Sequence, residues 1–164
     1  MTAPRILIAG IGNLFLGDDG FGVETARRLA ARPQPEGVRI EDFGIRGLDL
    51  VYALMEPFDA VIFVDTVSRR EKPGTLYLIE ADADENATVL LDAHGMDPVK
   101  VLALARSMGA PTTRTFVVGC EPGFMPPPGS DEVVMELTTP VHAAVDEAVI
   151  MVESLVEEIR ETRD

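Results

Sequence analysis

Asp18 and Asp19 stand side by side behind a glycine turn, Asp65 closes the most apolar run of the chain, and His94 precedes a helical segment. Carboxylates and an imidazole make a mixed oxygen and nitrogen donor set that suits a first-row divalent cation, and three protein ligands leave positions open for water or substrate. The spacing is wide and holds no compact HExxH-type motif, so any such chemistry depends on the fold to bring the groups together. Each group also has a plainer role open to it. Asp18 and Asp19 suit helix capping, Asp65 suits a turn at a strand end, and His94 suits a solvated loop.

Other candidates are weaker. Cys120 with His94 would supply a thiol nucleophile and a base, but a lone cysteine beside an apolar strand is more often a small buried hydrophobe. His142 falls in the first turn of the final helix, where packing or solvent is the simpler role. Gly10-Ile11-Gly12 opens like a dinucleotide fingerprint, yet the third glycine is misplaced and acids stand where the phosphate would lie. Ser68, Arg69 and Arg70 have no nucleophile motif around them and read as a solvated loop.

The elements that must position these groups follow from hydrophobic periodicity. Ile6 to Ala9 reads as a buried strand that stops at Gly10-Ile11-Gly12-Asn13, and Phe21, Val23, Ala26, Leu29 and Ala30 recur at helical spacing up to Pro33. Val38 to Asp42 suits a strand with one polar side, and Leu48 to Met55 a short helix. Phe58 to Val64 is a continuous apolar run of the kind found in the middle of a sheet covered on both faces. Thr75 to Ile79 is expected as a further strand, antiparallel because so little chain separates it from its predecessor. A helix from Pro98 to Met108 and a strand at Phe116-Val117-Val118 come next. Pro122 to Ser130, with four prolines and two glycines, reads as an irregular surface loop. Thr139-Pro140 then caps and opens a last helix carrying the apolar stripe Val141, Val145, Ala148, Val149, Val152, Leu155, Val156 and Ile159.

The order β-α-β-α-β-β-α-β-α implies an α/β fold, a three-layer α/β/α sandwich with a mostly parallel, twisted sheet of about five strands. With 164 residues, 46% of them apolar, a single domain over 1–164 is expected. Ligands of open α/β sheets bind beyond the carboxyl ends of the strands. Parallel pairing puts Asp18, Asp19 and Asp65 at the same end, and His94 in a loop that reaches the same rim.

A formal net charge of −14 opposes binding to nucleic acid or an anionic membrane. One cysteine precludes an intrachain disulfide and a cysteine-rich zinc site, and no apolar run reaches membrane-spanning length. A cytoplasmic location is expected. A monomer is expected too, because the broad apolar stripe of the last helix is needed by the core.

Gly10-x-Gly12-Asn13 followed by Gly17-Asp18-Asp19-Gly20-x-Gly22, the apolar strand ending at Asp65, His94 ahead of a helix, and Leu137-Thr138-Thr139-Pro140-Val141 together resemble the NiFe-hydrogenase maturation endopeptidases. The resemblance in element order spans nearly the whole chain. It implies an endopeptidase that removes a C-terminal peptide from the precursor of the hydrogenase large subunit after nickel insertion. It implies that Asp19, Asp65 and His94 bind the metal, a nickel that belongs to the substrate although other divalent metals suit the same donors. Asp18 is then expected to orient the attacking water, and Gly44, Arg46 and Gly47 to contact the substrate. Relatives often carry glutamate where Asp19 stands, so the metal must sit nearer the backbone here. Phe43 and Ile45 replace the glycine and small hydroxyl residue usual in relatives, which points to a different large subunit. A nickel-carrying or metal-sensing module of the same fold, which binds the precursor without cutting it, is the alternative.

Overall fold

The computed structural model describes residues 2–81 and 98–162. Within them run the strands β1 (Ile6–Ile11), β2 (Val38–Gly44), β3 (Ala60–Thr66), β4 (Leu76–Ala81) and β5 (Arg114–Cys120). The helices are α1 (Phe21–Ala30), α2 (Gly47–Leu54), α3 (Pro98–Ser107) and α4 (Thr139–Thr162), and a short 3-10 turn, Gly17–Gly20, joins β1 to α1.

The strands form one sheet in the order β2-β1-β3-β5-β4. β1 runs parallel to β2 and β3, and β3 parallel to β5, while β4 is antiparallel to β5. The mostly parallel five-stranded α/β sheet expected from the sequence is therefore present. The antiparallel β4 does not pair with its predecessor, however; it pairs with β5, with Leu76 opposite Cys120. Burial explains the order. From Thr115 to Cys120 β5 is buried throughout and takes an inner place, whereas β4 is only half-buried and takes the edge.

Alternate residues of the central strands feed two cores. Ile6, Ile8, Ile62, Val64, Phe116 and Val118 pack with Phe21 and Leu29 of α1 and the apolar stripe of α4 on one face. Leu7, Ala9, Ile11, Val61, Phe63 and Val117 meet Leu50, Val51 and Leu54 of α2 and Ala105 of α3 on the other. The two-residue period of a strand produces this division. Just beyond α1, Arg32 grips Glu153 of α4 with two hydrogen bonds of 3.1 and 3.0 Å, and Arg28 of α1 pairs with Asp146 of α4.

Two helix starts differ from the expected capping. Gly20 precedes α1 without any side-chain cap, so neither Asp18 nor Asp19 caps it. Thr139 lies inside α4, and the amide of His142 donates to the carbonyl of Thr138, one residue earlier than expected. Asp18 and Asp19 are engaged elsewhere, and the hydroxyl of Thr138, the residue before α4, donates to Asp18.

Candidate functional site at the carboxyl edge of the sheet

β1 is followed by a neighbour on one side of itself, and β3 by strands on the opposite side. The crevice beyond the carboxyl ends of β1 and β3 is therefore the topological switch point, the place where open α/β sheets bind ligands. Asp19 reaches it from the 3-10 turn after β1, and Asp65 stands next to last in β3.

Two glycines allow the turn to lie so close. Gly12 has φ 141°, and a Cβ there would fall 1.9 Å from the carbonyl oxygen of Asp19. At Gly22 a Cβ would sit 2.1 Å from the carbonyl oxygen of Val64 and 2.3 Å from that of Ile11. The first turn of α1 is thus pressed onto the ends of both strands, and only glycine fits.

Asp19 and Asp65 are each only 2% exposed. One oxygen of Asp19, Oδ2, accepts the amide of Asn13 at 2.9 Å, and Oδ1 of Asp65 accepts the amide of Thr66 at 2.8 Å. Thr66 follows Asp65 in β3, and its hydroxyl is buried without a hydrogen-bond partner among the described residues. Two carboxylates placed at one crevice supply oxygen donors of the kind that suit a divalent ion. Among the described residues no group of three such side chains is complete. His94, the nitrogen donor expected from the sequence, lies outside the described residues.

Asp18 departs from the water-orienting role expected for it. Its carboxylate is fully buried and accepts four hydrogen bonds. Gly123 and Phe124 donate their amides to Oδ2 at 2.7 and 2.8 Å, the Thr138 hydroxyl adds another at 2.8 Å, and the Thr138 amide donates to Oδ1 at 2.7 Å. Four donors meet a carboxylate with about four lone-pair sites, so Asp18 ties the turn to the segment after β5 and to the head of α4.

Gly44, with φ 54°, ends β2 on the same rim, and its carbonyl accepts the amide of Gly12 at 3.0 Å. Arg46 is exposed and pairs with Asp49 at 2.9 Å while also donating to the Asp42 carbonyl, and Gly47 opens α2. On the other flank of the 3-10 turn a cleft of about 390 Å³ is lined by Leu14, Glu24, Met135, Leu137 and His142. It includes neither Asp19 nor Asp65.

Cys120 is fully buried, and its thiol is pushed up to about 12 by burial first and then by the charges of Asp18 and Glu121. A fully buried thiol pushed upward in this way fits the role of a small buried hydrophobe.

Sequence reasoning missed Glu121. Only 4% exposed, it takes three donors on Oε1: the amides of Arg69 and Glu71 at 2.8 and 2.9 Å and the Tyr77 hydroxyl at 2.8 Å. Burial works to raise its pKa, but the three hydrogen bonds together hold it below the usual value of 4.5. The one signal available was an acid placed directly after an apolar strand and before Pro122.

The family model described as hydrogenase maturation protease, HycI, matches residues 23–155. The chain is 38% identical over 125 residues to the hydrogenase expression/formation protein HoxM of Azotobacter vinelandii, a match covering 74% of this chain and 60% of HoxM. It is 31% identical over 155 residues to the coenzyme F420 hydrogenase subunit delta of Methanothermobacter thermautotrophicus, covering 90% of this chain and 92% of that one. The structure resembles the hydrogenase maturating endopeptidase HybD of E. coli with a TM-score of 0.76 and 28% identity, over 94% of this chain and 93% of the other.

Proposed function

The chain belongs to the hydrogenase maturation protease family, and from that premise we propose that it is an endopeptidase that removes a C-terminal peptide from the hydrogenase large-subunit precursor once nickel is in place. The observation that carries this reading is the pair Asp19 and Asp65, buried carboxylates brought from distant parts of the sequence to the crevice between β1 and β3. Asp19, Asp65 and His94 are the residues assigned to the metal. The nickel belongs to the substrate, and its chemistry is to polarise the scissile carbonyl or to acidify a bound water. The chain's own contribution is orientation: Asn13 and Thr66 fix the two carboxylates through their amides, and Asp18 locks the turn that carries Asp19. Gly44, Arg46 and Gly47, on the β2 side of the same rim, are assigned to contact with the substrate chain. The protein works as a cytoplasmic monomer in this reading.

The test is intact-mass analysis of purified large-subunit precursor, nickel-loaded and nickel-free, after incubation with this protein. Loss of one C-terminal peptide from the loaded form alone is expected, and Asp19→Ala and Asp65→Ala should each abolish it. Equal cutting of both forms would remove the nickel dependence. Binding without any change of mass would assign the carrier role instead.

A further inference from the structure

The loop that leaves β3 at residue 67 breaks with the charge of the rest of the surface. Arg69, Arg70 and Lys72 stand there against one acid, Glu71, in a chain whose net charge is −14. Elsewhere Arg5, Arg32, Arg39, Arg46 and Arg114 each pair with a carboxylate. Arg70 and Lys72 are exposed, and neither has a carboxylate within ion-pair distance among the described residues.

This loop is braced from beneath. The amides of Arg69 and Glu71 both donate to Oε1 of the buried Glu121, and Arg70 between them has φ 59°, the one positive φ among the described non-glycine residues. Amides converging from either side of a left-handed residue form a concave anion seat, filled here by the protein's own carboxylate. The Arg69 guanidinium lies 5.2 Å from the centre of the Tyr77 ring, and that tyrosine donates to the same oxygen of Glu121. Arg69 is thereby used in holding the loop, and Arg70 and Lys72 are presented outward on a fixed backbone. Little ordering remains to be done when a partner binds.

Its location joins it to the crevice. Arg70 follows Asp65 by five residues, so the two lie within about 18 Å. Gly74 donates its amide to the Glu121 carbonyl at 2.9 Å. Pro73 packs on Gly123, whose own amide is held by Asp18.

We propose that the loop of residues 69–72 is a docking element for an acidic segment of the protein substrate, with Arg70 and Lys72 as the cations that receive it. This rests on the endopeptidase reading and adds a second point of attachment beside the crevice. Charge complementarity selects the occupant: a polyanion such as nucleic acid would meet repulsion over the remaining surface, whereas a short acidic stretch needs only these two cations.

The experiment compares wild type with the double variant Arg70→Asn/Lys72→Gln on purified nickel-loaded precursor. Asparagine tolerates the left-handed backbone at position 70, and neither side chain takes part in the crevice. The expected result is a KM raised about tenfold at low salt with kcat little changed, and a KM that climbs with ionic strength in wild type but stays level in the variant. An unchanged KM and the same salt slope in both proteins would overturn the docking role while leaving the endopeptidase intact. Failure of wild type to cut the precursor at all would overturn both. Self-association of wild type that the double variant abolishes, read by sedimentation, would assign the loop to a second copy of the chain and overturn the proposal as well.

Discussion

At Asp18 one carboxylate collects amides and a hydroxyl from segments 105 to 120 residues away. Asp18→Ala leaves those donors buried without an acceptor, and the expected loss is about 3 to 5 kcal/mol, the scale on which stripping one partner from a buried charged network is felt. Urea denaturation monitored by far-UV circular dichroism measures it. Glu121 yields a prediction in pH. Its folded pKa lies below its unfolded value, so its contribution is present above about pH 4.5 and is lost as pH falls through the lower, folded value. Glu121→Gln should therefore flatten the acid limb of the stability curve. Tyr77 has the opposite sign: raised to about 12 from 10.0 by burial and by Glu121, it stabilises below pH 10 and gives this up as pH climbs toward 12. The placement of Asp19 and Asp65 at the carboxyl edge of the sheet was legible in the sequence because a glycine turn and an apolar strand end announce it. The partners of Asp18 were not, since no local pattern reveals a bond to Thr138. Glu121 was invisible for the same reason: a single acid has no period.

The elements were read more fully than their edges. The continuous apolar runs of β1 and β3 declare themselves because both faces of those strands are covered, and the stripe of α4 because it buries one face. Neighbours are another matter, since the partner of β4 is decided by which strand needs cover on both sides and not by the residues of β4 alone. Helix starts misled because Asp18 and Asp19, good cappers by type, are spent on Gly123, Phe124, Thr138 and Asn13. The seat of α1 on the strand ends gives a prediction at this scale. Gly22→Ala puts a methyl against the carbonyls of Val64 and Ile11, so α1 must lift, and a loss of about 3 kcal/mol is expected. A thermal melt will show it as a lowered midpoint, and an unchanged midpoint would mean that the helix is less tightly seated than described.

For the whole molecule, an excess of 14 negative charges sets the response to salt. Self-repulsion opposes the compact state and is screened by ions, so the melting temperature should rise as ionic strength passes from about 0.01 M to about 0.15 M. A fall would mean that the surface pairs of α1 with α4 outweigh the repulsion. The bonds from Asp18 to Thr138 also have a consequence for the newborn chain. A ribosome delivers the first strand and its aspartates early, but the residue that anchors their turn emerges 120 positions later. Until then the crevice has its carboxylates without their brace, so a nascent or truncated product that stops short of residue 138 should be unable to act on any precursor. The activity would switch on only when synthesis is nearly complete.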